Sequence, residues 1–199
     1  MSLDILDTPL AGLKVVQRRP RGDARGFLAR LFDGAGLRAC GWNQPIEQVN
    51  HTYTAQAGTI RGLHYQLPPH AEMKLVSCIR GEVWDVAVDL RRGSPTFLHW
   101  HAERLSADNG RALLIPQGYA HGFQTLSDDV EMLYCHSAAY APLAEAGVHF
   151  QDARVGIAWP LPPTLVSERD ANHPRLEAAF PGVAPVSYTH LTLPTNREV

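Results

Sequence analysis

The side chains best suited to acid–base chemistry fall in two short segments. The first is Arg61-Gly62-Leu63-His64-Tyr65-Gln66. Read as an extended strand, it puts His64 and Gln66 on one face, with Gly62 leaving room beside them. A histidine turned into an apolar interior needs a hydrogen-bonding partner or a ligand. Lys74 follows ten residues after His64, at the head of an apolar run. The second segment is Pro116-Gln117-Gly118-Tyr119-Ala120-His121-Gly122-Phe123, which brings His121 into a strand just after a turn. Its glycines would let backbone or ligand come close. Taken alone, each residue has a plainer reading: His64 and His121 as packed, hydrogen-bonded histidines, Lys74 as a solvated strand end.

Other chemistries find less support. The chain has 10 histidines, yet no HxxxH on a helix and no Cys/His pattern at zinc spacing. His99 and His101 form an H-x-H pair with Glu103 as the nearby carboxylate; no metal centre is expected there, and no cofactor. There is no G-x-S-x-G elbow, and strand alternation sends Cys135 and His136 to opposite faces. Phosphate loops and dinucleotide fingerprints are absent.

The elements that must position these residues are short strands. Lys74–Ile79 and Val83–Leu90 read as a strand pair joined by Arg80-Gly81-Glu82. In the second of them Trp84, Val86, Val88 and Leu90 point one way, and Asp85, Ala87 and Asp89 the other. Thr96–Leu105 alternates again, Leu113–Ile115 runs into a turn, and Val130–His136 carries Val130, Met132, Tyr134 and His136 on one face. Short strands with Gly/Pro turns and no intervening helical pattern predict an all-β sandwich or barrel. Helices are expected only near 34–39 and around 175–180. The 16 glycines and 15 prolines are spread along the chain, which predicts one domain over residues 1–185. The stretch 186–199 (VSYTHLTLPTNREV) follows a Phe-Pro-Gly stop and reads as a disordered tail or cloning scar.

Composition narrows the partners. The hydrophobic fraction of 45% over 199 residues suits a sizeable core. The net charge is −2, without a block of Lys or Arg, so neither nucleic acid nor a membrane surface is an expected partner. An anionic ligand would have to be met by individual Arg and Lys side chains. Three scattered cysteines, the absence of a signal-peptide pattern, and the lack of a long apolar run point to a cytoplasmic protein.

Taken together, several segments resemble the dTDP-4-dehydrorhamnose 3,5-epimerase family. They are GDARGF (22–27), QVNHT (48–52), RGLHYQ (61–66), MKLVSCIRGEVWDVAVDLRRGSPTF (73–97), LIPQGYAHGF (114–123), Tyr134 with Tyr140, GIAWP (156–160) and SERD (167–170). The resemblance spans roughly residues 5–175. It implies a cupin double-stranded β-helix (a jelly-roll barrel) with short peripheral helices. It also implies a homodimer and a metal-free isomerase that epimerises a nucleotide-linked 4-keto-6-deoxyhexose. Pro116 to His121 looks like the second cupin motif. At the first, only His64 stands where a metal-binding cupin offers two histidines and a glutamate.

By that resemblance His64 is the base, Asp170 holds its imidazole, Lys74 stabilises the enolate oxygen at C4, and Tyr134 returns a proton to the opposite face. His121 and Tyr140 line the cavity with Gln48 and Asn50, and Arg61 meets the diphosphate. Arg25 and Phe27 belong to a segment, 22–30, that completes the partner's site. Asp170 also reads as a turn or helix N-cap residue, and Tyr134 as a core tyrosine. Arg30 stands where the family's pattern has a glutamate that meets the nucleotide. A non-catalytic cupin binding module and a related ketoisomerase are the competing functions.

Overall fold

The computed structural model describes residues 3–184, so the reading of 186–199 lies outside the described residues. Two strands set the architecture: β7 (Lys74–Arg80) and β8 (Glu82–Asp89) are buried on both faces over most of their length. Such strands need cover on two sides. The fold supplies it with two antiparallel sheets and an outer layer on each.

The first sheet has six strands in the order β1 (Leu3–Asp7), β2 (Lys14–Arg18), β10 (Arg111–Ile115), β7, β12 (Val130–His136) and β5 (Gln48–Thr54). The second has five, in the order β13 (Glu145–Gly147), β6 (Ile60–Gln66), β11 (Tyr119–Thr125), β8 and β9 (Trp100–Ser106). A separate hairpin pairs β3 (Arg21–Asp23) with β4 (Gly26–Leu28). This is the jelly-roll architecture of the cupin fold.

Alternation explains the layering. Val76, Cys78, Val130 and Met132 from one sheet meet Val83, Ala87, Tyr119 and Phe123 from the other in the inner core. The opposite face of the first sheet buries Leu75, Leu114 and Cys135 under Leu37 and Trp42. Leu37 sits on α1 (Gly34–Leu37), whose N-cap Asp33 accepts from the Gly36 N–H. The outer face of the second sheet buries Leu63, Val86 and Val88, with Ile157, Trp159 and Phe180 packed over them.

Two expectations need correction. Residues 175–180 form no helix. Pro174 and Pro181 bracket the segment, its Leu176 N–H is taken by Asp152 Oδ2, and Leu176 and Phe180 lie against the second sheet. The C-terminal helix is instead α2 (Glu168–Ala171), capped by Ser167, which accepts from the Asp170 N–H. The strand expected from Thr96 begins only at Trp100, because Asp89 claims the preceding loop. Its carboxylate accepts from Arg91 Nη2 at 2.7 Å, Ser94 Oγ at 2.5 Å and Thr96 Oγ1 at 2.7 Å. Burial opposes ionisation of Asp89, but these hydrogen bonds outweigh it and lower its pKa to about 2. Strands β1 and β2 were not anticipated; β1 (LDILD) is half-polar and legible only beside its partner.

One contact fixes the spacing of β6 and β11. Gly62 has φ +118°, and a Cβ there would lie 2.7 Å from Gly122 Cα. A Cβ on Gly122 would lie 2.6 Å from the Arg61 carbonyl oxygen. The two backbones meet closely at the register shift between His121 and Phe123, and no side chain fits between them.

Candidate active site

Between the two sheets lies a cavity of about 590 Å³. Its polar wall is built from both. Strands β6 and β11 of the second sheet contribute Arg61, His64 and His121; strands β5, β7 and β12 of the first contribute Asn50, Lys74 and Tyr134. His64 and Tyr134 therefore line one compartment from different sheets.

His64 is oriented by α2. Its Nε2 lies 2.8 Å from Asp170 Oδ1, and Asp170 Oδ2 accepts the Gly62 N–H at 2.9 Å. Asp170 is buried while the His64 side chain is 25% exposed, so the imidazole is anchored at the back and open at the front. Burial would raise the Asp170 pKa; the hydrogen bonds from His64 and Gly62 and the charge of Arg169 win and depress it strongly. An ionised carboxylate only accepts, so in the tautomer that donates to Asp170 the proton sits on Nε2 and Nδ1 is the free nitrogen; Arg169 Nη2, also within reach of Nε2, favours the opposite tautomer. Ser167 takes the N-cap position, which frees the Asp170 side chain to turn toward β6. Arg169 joins the group through Asp170 Oδ1 at 3.2 Å and Glu145 Oε1 at 3.1 Å.

Deeper in the same cavity His121 Nε2 lies 3.0 Å from both oxygens of Asp85, which is fully buried. Burial raises the Asp85 pKa against the pull of His121 and Lys74. The Tyr134 ring sits edge-on to His121, with centroids 6.1 Å apart. Burial pushes the Tyr134 phenol well above its ordinary pKa, so it is a protonated hydroxyl at neutral pH.

Lys74 is buried, with Nζ 3.2 Å from Glu72 Oε1. The other Glu72 oxygen lies 2.7 Å from His136 Nδ1. Sequence reasoning missed Glu72, His136, Glu145 and Arg169. A signal existed for His136, which shares the inward face of β12 with Tyr134; nothing in the spacing announces its pairing with Glu72.

The remaining expected residues divide by location. Arg61 lines the cavity, its guanidinium held by Thr54 Oγ1 at 2.9 Å and the Tyr53 carbonyl at 3.0 Å. Gln48 stands behind Asn50, donating to its Oδ1 at 2.9 Å and accepting the Tyr140 N–H at 3.0 Å. Tyr140 is at the rim, half exposed, with its hydroxyl donating to Glu145 at 2.7 Å. Arg25 and Phe27 lie outside this cavity on the β3–β4 hairpin; Arg25 pairs with Asp23 at 2.5 Å, and Phe27 is 76% exposed. Arg30 is tied to the capping Asp33 at 2.8 Å.

His64, Asp170 and His173 offer three ligand atoms within 4.8 Å of one another, a grouping that could hold a metal ion. Arg169 Nη2, 3.0 Å from His64 Nε2, already places a positive charge against it. No helix among the described residues is long and apolar enough to cross a membrane.

Comparison with known proteins agrees with this geometry. Residues 7–178 match the family model described as dTDP-4-dehydrorhamnose 3,5-epimerase. A dTDP-4-dehydrorhamnose 3,5-epimerase of Pseudomonas aeruginosa is 46% identical over 167 residues, covering 82% of this chain and 91% of the relative. The crystal structure of a dTDP-4-dehydrorhamnose 3,5-epimerase from Bacillus anthracis, with TDP and pyrophosphate bound, superposes with a TM-score of 0.84 at 38% identity, covering 87% of this chain and 99% of that one. A dTDP-6-deoxy-D-glucose-3,5-epimerase of Legionella pneumophila, in complex with dTDP-4-keto-L-rhamnose, gives 0.81 at 36% identity, covering 88% and 100%.

Proposed function

This chain belongs to the dTDP-4-dehydrorhamnose 3,5-epimerase family, and from that premise we propose how its cavity inverts C3 and C5 of a dTDP-linked 4-keto-6-deoxyhexose. The protein is an isomerase acting on a nucleotide sugar. The observation that carries the assignment of roles is the placement of His64 on one sheet and of Tyr134 and Lys74 on the other, around a single cavity.

A carbon beside a ketone loses its proton when a base lies within hydrogen-bond reach and the developing enolate oxygen is stabilised. Nδ1 of His64 takes that proton. The resulting imidazolium is held by Asp170, whose depressed pKa keeps it ionised for the purpose. The Lys74 ammonium faces the C4 oxygen and stabilises its negative charge; one such interaction is worth roughly 10²- to 10³-fold in rate. Tyr134, protonated at rest, delivers a proton to the other side of the ring and so inverts the centre. Arg61 binds the diphosphate, a task suited to a guanidinium fork. His121 fixes the sugar from below, held rigid by Asp85.

The hairpin over 21–28 and the outer face of β5 leave Phe27, Leu28, Val49 and Tyr53 exposed. A second copy of the chain would cover these apolar side chains, and segment 22–30 would then complete the partner's site, with Arg25 and Phe27 against the nucleotide.

Proton NMR in D₂O with dTDP-4-keto-6-deoxyglucose tests the reading. Deuterium is expected at C3 and C5 with the ketone remaining at C4. Binding without exchange would indicate a non-catalytic module, and migration of the carbonyl a ketoisomerase; either result overturns the assignment.

A further inference from the structure

The mechanism above uses Lys74 but leaves its two buried ionic neighbours, Glu72 and His136, without a task. Glu72, Lys74 and His136 line the cavity together. Their side chains are 9%, 9% and 11% exposed. Lys74 on β7 and His136 on β12 are direct cross-strand partners, so the barrel places both on the same level of the wall. Glu72 bridges them with separate oxygens, at 3.2 Å to the ammonium and 2.7 Å to the imidazole. The far side of the His136 ring meets Asn50 Nδ2 at 3.3 Å, and its plane stacks on Tyr134 with centroids 6.1 Å apart.

The charges pose a problem for catalysis that the histidine answers. A carboxylate beside Lys74 cancels the positive field that an enolate oxygen needs. The same carboxylate also anchors an ammonium that would otherwise swing freely on its four-carbon stem, provided the carboxylate is itself fixed. His136 engages the second oxygen, which draws carboxylate charge to the side away from the lysine and locks the carboxylate plane. The Glu72 carboxyl accordingly stays ionised despite its burial, under the combined pull of His136 and Lys74.

We propose that Glu72 and His136 are positioning residues for the known reaction: together they hold the Lys74 ammonium at the carbonyl end of the cavity and moderate the negative charge beside it. The inference rests on the assignment of Lys74 to the C4 oxygen. It gives the cavity a built electrostatic device on the sheet opposite His64 and Asp170.

A coupling experiment tests it. Turnover and KM are measured for His136→Leu, His136→Asn, Glu72→Gln and Lys74→Met, and for His136→Leu combined with Lys74→Met. His136→Leu and Glu72→Gln are each expected to lower kcat about tenfold with KM little changed. His136→Asn, whose amide can still donate to Glu72, should recover most of the rate. In the Lys74→Met background, His136→Leu should cost less than about twofold, because the group it positions is gone. An equal loss with and without Lys74 would overturn the proposal while leaving the lysine's role intact. Full exchange by Lys74→Met would instead overturn the lysine assignment, and this inference with it. If His136→Leu fails to fold, Glu72→Gln is taken through the same cycle.

Discussion

Two of the histidine–carboxylate pairs at the cavity differ in almost everything except their chemistry. His64–Asp170 joins a strand to a short helix near the rim; His121–Asp85 joins two neighbouring strands in the barrel wall. Asp170 receives a backbone N–H and lies beside Arg169, so its charge is favoured despite burial. Asp85 is fully buried with His121 as its hydrogen-bonding partner, so its charge is disfavoured. The first pair presents a fixed negative charge behind an open imidazole, ready to carry a proton. The second is a closed unit that holds a ring in place. Second partners and solvent access, more than residue type, separate a proton carrier from a brace.

Substitutions can break this comparison, and the largest effect should come from the open pair. His64→Ala should lower kcat by about 10²- to 10⁴-fold and abolish deuterium uptake, with the protein still folded. Retained full turnover would remove His64 as the base. Asp85→Ala should act mainly on stability, because it strands a buried histidine. A loss on the order of 3 kcal/mol in urea unfolding is expected, and an unchanged midpoint would show that the brace is dispensable. Asp170→Asn should slow turnover roughly tenfold or more while the dissociation constant for dTDP stays within about twofold.

The smallest effect is a difference in pH slope. Asp170 has a folded pKa below the unfolded value of about 3.9, so its stabilising contribution is complete above that pH and is lost as pH falls through and below it. Asp85 has a raised folded pKa, so its contribution is present below about 3.9 and is lost as pH rises through the folded value. Urea midpoints across roughly pH 3–6 should therefore lose part of their acid decline in Asp170→Asn. An unaltered acid decline would show that the carboxylate is not the group being titrated.

The barrel was legible because period-two alternation survives in its central strands: Val130, Met132 and Tyr134 belong to the inner core as the pattern requires, and Cys135 packs on the outer face. The helix expected over 175–180 failed because two prolines bracket that segment and an acidic side chain from elsewhere takes its Leu176 N–H. Sequence resemblance pointed to His64, Lys74, His121 and Tyr134, and the fold gathers them at one cavity. Glu72 with His136 was not legible, since a cross-strand pair depends on register and on the loop entering β7. Arg169 with Glu145 was hidden for a similar reason: α2 and β13 meet only after the chain has closed the second sheet.

The inward face of β12 passes from Val130 and Met132 to Tyr134 and His136, and that of β7 from Cys78 and Val76 to Lys74. Along both, a greasy floor gives way to a charged mouth within a few residues, each step of two lifting the wall by about 6.7 Å. Depth and reactivity are thus set by different rungs of the same ladder. The Met132 rung packs the barrel below those that line the cavity, and a Met132→Leu exchange would be felt in stability before it was felt at the reacting rung.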